Sequence, residues 1–350
     1  MRAVAVLLAA APVTSAGADH ARVVPGYRLR FPEDEGSHPA FRTEWWYVTG
    51  WLEENGRPLG FQITFFRSRG ATDQANPSAF APRQLLIAHA ALSDPAAGGL
   101  QSDQRVARAG FGLAQARSGE TSVWIDDWSL RRHGEHYAAN IAARDFHLQI
   151  ELQRPQPPML QGNAGFSRKG PDPSSASYYY SLPQLRVSGS VTRGNAKRAV
   201  TGSAWFDHEW SSQSMDARAV GWDWTGINLA DGAALMAFRM REQNGGALWA
   251  GGSYRSPAGK LRVFQPDEVR WTPLRQWRSP RSAAIYPVAW RVNAADLEVI
   301  LEPLMDDQEN DARLSTGAIY WEGAVRALRG GRNIGTGYLE LTGYWRALKL

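Results

Sequence analysis

Glu44-Trp45-Trp46-Tyr47-Val48-Thr49-Gly50-Trp51-Leu52, then Glu54-Asn55-Gly56, then Gly60-Phe61-Gln62-Ile63-Thr64-Phe65-Phe66-Arg67 is the stretch whose reading decides the fold. Two runs rich in aromatic and β-branched residues flank an Asn-Gly turn, the pattern of an antiparallel hairpin. Alternate residues of a strand point to opposite faces. Glu44 and Trp46 therefore share one face, and Trp45 and Tyr47 the other, with Gln62 and Arg67 on the partner strand. Similar short runs recur at 84–92, 121–130, 146–152, 185–191, 199–206, 233–241, 261–264, 288–292, 297–301, 318–322 and 336–343. That spacing predicts antiparallel sandwiches or barrels. Only 82–88 and 323–328 read as helical. The Pro-, Gly- and Ser-rich segment 153–177 reads as a long loop over a surface or a cavity mouth.

The 350 residues fit about two domains. Fifteen Trp, 34 Gly and 20 Pro suit a β-rich protein with many turns and a groove. Lys+Arg 39 against Asp+Glu 34 leaves a net charge of +5 without a run of basic residues, which argues against nucleic acid as partner. The absence of Cys removes disulfides, thiol catalysis and Cys-bound metals. Met1-Arg2, the apolar run from Ala3 to Val13 and Ala16-Gly17-Ala18 have the form of a secretory signal peptide over 1–18, cleaved near Ala16–Ala18. The run is too short to span a bilayer, which takes about 20 residues. The expected location is periplasmic or secreted, with no stable membrane span. The polar stretch 211–217 marks a boundary between an N-terminal β-domain, 27–213, and a C-terminal one, 214–350.

Three constellations carry ionisable groups among aromatics. In Trp205-Phe206-Asp207-His208-Glu209-Trp210, Asp207 and Glu209 take one face and His208, Phe206 and Trp210 the other. His208 reads either as a general acid or as a structural histidine. In Gly221-Trp222-Asp223-Trp224, the tryptophans share a face and Asp223 takes the other. Turned into an apolar barrel, Asp223 would be a proton donor; turned outward, a surface aspartate. Arg239 and Arg241 share a face and can pair with Asp223 or with a carboxylate of the first constellation. The Glu44–Tyr47 run supplies Glu44 and Trp46, which also read as core. His89, alone in an apolar run, reads as a core histidine or as part of the same cavity. His133, His136 and His147 lack ligand spacing, and no metal or other cofactor is expected. No G-x-S-x-G elbow, P-loop or dinucleotide fingerprint is present.

Phe41-Arg42-Thr43-Glu44-Trp45-Trp46-Tyr47-Val48-Thr49-Gly50, Gly60-Phe61-Gln62, Tyr179-Tyr180-Ser181, the Trp205–Trp210 and Gly221–Trp224 motifs and Gly337-Tyr338-Leu339-Glu340-Leu341-Thr342-Gly343-Tyr344 together resemble the AttH/carotenoid 1,2-hydratase-like family, over about residues 27–345. The resemblance implies two lipocalin-like β-domains packed side by side and a site for an apolar polyene- or terpenoid-type ligand near their junction. It implies a catalytic set of His208, Asp207, Glu209 and Asp223. Trp210, Trp222, Trp224, Tyr180, Glu44, Trp46, His89 and Arg239 would bind the substrate. The reaction expected is addition of water to a C=C bond through a carbocation, a hydro-lyase activity. The alternative is a non-catalytic lipophile carrier working with an ABC-type exporter. A secreted hydrolase ranks last for want of a nucleophile motif.

Overall fold

The computed structural model describes residues 20–70, 76–78 and 80–348. The expected signal peptide lies outside the described residues. Among them no helix is long and apolar enough to cross a membrane.

The chain is all-β. The strands from Thr43–Glu54 to Ala196–Gln213 form one antiparallel sheet, and those from Gly221–Leu229 to Arg332–Leu341 form a second. Glu54 pairs with Arg57 across Asn55 and Gly56, whose φ angles of 52° and 80° give the mirror-image turn that matches strand twist. The next strand, Leu85–Asp94, and then Gly99–Arg108 extend the sheet on one side of Thr43–Glu54, and Ala196–Gln213 pairs on the other. The first sheet rolls up until Arg105, on its edge strand, donates to the carbonyls of Ile125 and Ala142.

Each rolled sheet encloses its own apolar core. Trp46, Phe61, Trp128, Tyr137, Phe206 and Trp210 fill the first, and Tyr286, Trp290, Trp321 and Leu339 the second. A third cluster lies between the sheets and holds Tyr47, Trp51, Tyr179, Trp205, Trp224, Phe238 and Tyr338. The two sheets are keyed by hydrogen bonds from Trp51 Nε1 to the Gly337 carbonyl (2.8 Å) and from Asn228 Nδ2 to the Ala204 carbonyl (3.0 Å). At a bulge in the long strand Ala176–Arg193, Gln184 (φ 61°) turns its N–H onto Asn228 Oδ1. Gly226 is required by close approach: a Cβ there would come within 2.8 Å of the Trp205 ring.

Three expectations are corrected. Neither 82–88 nor 323–328 is helical: 82–84 is irregular and 85–88 belongs to the paired strand Leu85–Asp94, while 323–328 lies within Ala318–Arg329 against Arg332–Leu341. The segment 153–177 is not a plain loop. Its pieces Met159–Leu160 and Phe166–Arg168 pair back onto Ala176–Arg193.

Candidate functional site

Alternation decides which residues meet. Ala196–Gln213 lies between Thr43–Glu54 and Ala176–Arg193, with Tyr47 opposite Asp207 and Trp45 opposite Glu209. These residues, with Tyr179, Thr64, Phe66, Ile87 and His89, face the second sheet. From that sheet Trp222, Trp224, Phe238, Tyr320, Glu322 and Glu340 face back. Between them lies a cavity of about 650 Å³, within the size range of small-molecule sites.

The cavity wall is aromatic and carries three buried carboxyls, Asp207, Glu209 and Glu322, and a half-buried one, Glu340. Asp207 accepts from the Tyr179 hydroxyl (2.6 Å), the Ser181 hydroxyl (2.5 Å) and Trp205 Nε1 (2.7 Å). Burial pushes its carboxyl up to about 7 against the lowering effect of those donors. Tyr179 in turn accepts from Trp224 Nε1 (3.1 Å), so the Asp207 network joins the two sheets. Glu209 is ion-paired with Lys169 at 3.2 Å, and the Lys169 ammonium lies 4.5 Å from the centres of the Tyr179 and Phe238 rings.

Glu322 and Glu340 are direct cross-strand partners. Burial and the Glu340 charge push the Glu322 carboxyl well above its usual range. Burial, with the neighbouring carboxylates, pushes Glu340 up to about 7, although Trp222 Nε1 donates to its Oε2 at 2.8 Å. Two facing carboxyls in low dielectric cannot both ionise, so the pair holds a proton near neutral pH. The Tyr47 and Tyr320 hydroxyls hydrogen-bond to the Glu322 carboxyl and offset part of the upward push of burial.

His89 lines the same cavity. Burial pushes its imidazole down to about 4, so it is neutral. Its Nε2 lies 2.8 Å from Ser315 Oγ and its Nδ1 2.8 Å from the Tyr320 hydroxyl. Since Ser315 donates to Gln104 Oε1 (2.6 Å), Nε2 carries the proton and Nδ1 accepts from Tyr320.

His208, Tyr180, Trp46 and Trp210 point the other way, into the first barrel. His208 Nε2 is 3.0 Å from Glu44 Oε1, and its Nδ1 is 3.2 Å from the Tyr180 hydroxyl. Burial would raise the Glu44 carboxyl, but His208, His38 and Arg67 outweigh it and hold it well below its usual range. His38, stacked on Trp210 at 3.8 Å, bridges Glu44 and Asp34 with its two nitrogens. Burial would lower its pKa, but those carboxylates raise it. His38, Glu44 and His208 stand close enough to hold a metal ion. Here the Glu44–histidine contacts of 2.7 and 3.0 Å are hydrogen bonds, and the Arg67 guanidinium already neutralises Glu44 (2.7 Å). The group is a hydrogen-bonded ion cluster.

The expectation of one catalytic set therefore needs correction, because the alternation of the strand separates His208 from Asp207 and Glu209. Asp223 also stands apart, facing the second barrel. Arg239 and Arg241 clamp it at 2.5 and 3.2 Å, and the Tyr344 hydroxyl donates to it at 2.9 Å. Arg239 is thus bound to Asp223, and its guanidinium lies over Trp290. Trp222, Trp224, His89, Asp207 and Glu209 do come together in the cavity. The sequence reading missed Tyr47, Tyr179, Lys169, Tyr320, Glu322 and Glu340. A glutamate two residues from a tyrosine within a strand, as in Tyr320-x-Glu322 and Tyr338-x-Glu340, was the available signal.

Residues 22–344 match the AttH-like family. A crystal structure described as a candidate AttH from Nitrosomonas europaea superposes with a TM-score of 0.87 at 55% identity, covering 93% of this chain and 99% of that one. Kievitone hydratase from Nectria haematococca shares the fold, with a TM-score of 0.67 at 12% identity over 94% of this chain and 98% of that one. In sequence, kievitone hydratase from Fusarium solani subsp. phaseoli is 24% identical over 153 residues. That match spans 42% of each chain, less than half the length of the curated relative. The chain belongs to the AttH-like family, on the two-domain lipocalin-like β-fold it shares with hydratases.

Proposed function

We propose that the cavity between the sheets takes an apolar, alkene-bearing small molecule and adds water across its double bond by acid catalysis. The observation that carries this is the Glu322–Glu340 pair, two cross-strand carboxyls both pushed upward by burial, in an aromatic-walled cavity. The protonated member gives its proton to one alkene carbon, leaving a carboxylate and a carbocation on the other carbon. The faces of Trp45, Trp222, Trp224 and Phe238 stabilise the cation, at about 0.5–2 kcal/mol per ring. A water then attacks the cation, and the carboxylate takes its proton, restoring the pair. The hydratase relatives support the reaction class. A periplasmic location follows from the N-terminal stretch and is part of the proposal.

One observation favours a carrier instead: both oxygens of Asp207 are occupied by donors, as in a scaffold carboxyl. The test is incubation with acyclic terpenoid and polyene alkenes in ¹⁸O-water, followed by mass spectrometry. A product heavier by one labelled water, made by the wild type and lost in Glu340→Gln and Glu322→Gln, supports the hydratase. Unchanged ligand recovered with all three proteins supports the carrier.

A further inference from the structure

We infer that the open side of the cavity is a docking face for an anionic lipid bilayer, through which the lipophile enters. The inference rests on reading the cavity as a lipophile site and goes beyond it.

Trp45, Phe66, Ile87 and Val106 are successive cross-strand neighbours on one face of the first sheet. The first three line the cavity, whereas Val106 is 50% exposed. The floor of the cavity therefore runs out onto the surface as an apolar track. Where it emerges, Phe80 (70% exposed) stacks on Phe111 (59% exposed), ring centres 5.4 Å apart. The Arg108 guanidinium lies 5.1 and 4.6 Å from those rings. On the other side stands the hairpin of Glu309–Ala312 and Ala318–Arg329. Its turn is moored to the first sheet by His89–Ser315 and by Gln104, which also donates to the Asp311 carbonyl. At that turn Leu314 is 91% exposed. Gln104 and Val106 share a sheet face, so Leu314 and Val106 belong to one rim. Large apolar side chains exposed together mark an interaction surface.

The charges name the occupant. The cavity carboxyls are buried or half-buried, whereas Arg42 and Arg346, which also line the cavity, are exposed. Among the described residues, the neighbouring surface carboxylates pair with arginines: Asp311 with Arg313, Asp103 with Arg144, and Asp126 and Asp127 both with Arg105. Apolar side chains ringed by arginines fit an anionic lipid surface, where aromatic and leucine side chains insert and arginines meet headgroups.

The test is co-sedimentation with vesicles of phosphatidylcholine alone and of equal parts phosphatidylcholine and phosphatidylglycerol, at low and high salt. The mature wild-type protein is expected to bind the mixed vesicles, more weakly at high salt. Phe80→Ser, Phe111→Ser and Leu314→Ser combined should lower binding at least about tenfold. The triple variant should keep wild-type circular dichroism and the wild-type response of tryptophan fluorescence to geraniol, added from solution as a terpenoid probe. Absence of wild-type binding to the mixed vesicles, or equal binding by the variant, overturns the inference. So does a dimer, seen by light scattering without lipid, that the triple variant abolishes, since the face would then belong to a second copy. None of these readouts depends on turnover, so failure of the hydratase reading remains distinguishable.

Discussion

Asp207→Asn isolates the most consequential electrostatic feature of the cavity. Burial pushes the Asp207 carboxyl up to about 7 from 3.8. Between those values the folded protein holds a proton that the unfolded chain has released. Stability contributed by the protonated form is therefore fully present below about pH 4 and is lost as pH rises towards about 7. A shift of about three units is worth about 4 kcal/mol at most, at 1.36 kcal/mol per unit. Asparagine is the isostere of the neutral acid. Its oxygen can accept from Ser181 and Trp205, and its amide can donate to the Tyr179 hydroxyl. The variant should match the wild type near pH 4.5 and exceed it by up to about 4 kcal/mol at pH 8, with one proton's worth of slope removed. Glu340 and Glu322 are shifted the same way, so the slope that they contribute should remain. Urea midpoints from pH 4.5 to 8.5, followed by tryptophan fluorescence, measure this. A variant that keeps the full wild-type slope, or is equally destabilised at every pH, would refute the assignment of a buried, proton-holding Asp207.

His89→Gln should act in the opposite sense. The neutral histidine, held down to about 4 by burial, costs stability as pH falls from about 6.5 to 4, and the variant should flatten that loss while loosening the Ser315 turn, seen as faster hydrogen exchange there. Asp223→Asn removes one partner of a buried clamp with Arg239 and Arg241 and should cost about 3–5 kcal/mol in urea unfolding, with ligand affinity unchanged in the protein that remains folded. His208→Ala should likewise lower stability, by about 2–4 kcal/mol, through a hole beside Trp46 and the loss of one of the donors to Glu44; intact stability with lost turnover would instead return His208 to the chemistry. Gly226→Ala places a methyl against the Trp205 and Trp224 rings and should cost about 1–3 kcal/mol and red-shift tryptophan emission.

The hairpin at 44–67 was legible because Asn55-Gly56 specifies both turn and register, and period-2 patterning carried the all-β class. The face of each residue followed from the same rule: Asp207 against His208, and Trp222 with Trp224 against Asp223, lie as alternation requires. Alternation does not say what the opposite faces meet. Both faces of the first sheet are buried near residue 207, one against its own core and one against the second sheet, so polarity did not mark which side held the cavity. Glu322 and Glu340 were hidden for a related reason. Each lies far from the Trp205–Trp210 motif in sequence, and their pairing arises from the register of Ala318–Arg329 with Arg332–Leu341. Lys169 sat in a stretch whose Pro and Gly content masked two short ladder pairings.

The strand Ala196–Gln213 has a consequence for anyone redesigning the cavity. Its run Trp205-Phe206-Asp207-His208-Glu209-Trp210 is two interleaved alphabets written in one line. Of the odd positions 207 and 209 face the cavity and 205 packs between the sheets, whereas the even positions fill the first barrel. A library that randomises the whole hexapeptide would consist mostly of collapsed barrels, and its inactive clones would carry no information about chemistry. One that varies 207 and 209 with their cross-strand partners 47 and 45, and leaves 205, 206, 208 and 210 untouched, alters the cavity wall while keeping both packed cores. Insertion of one residue into the run would exchange the two alphabets and place charged side chains in the barrel.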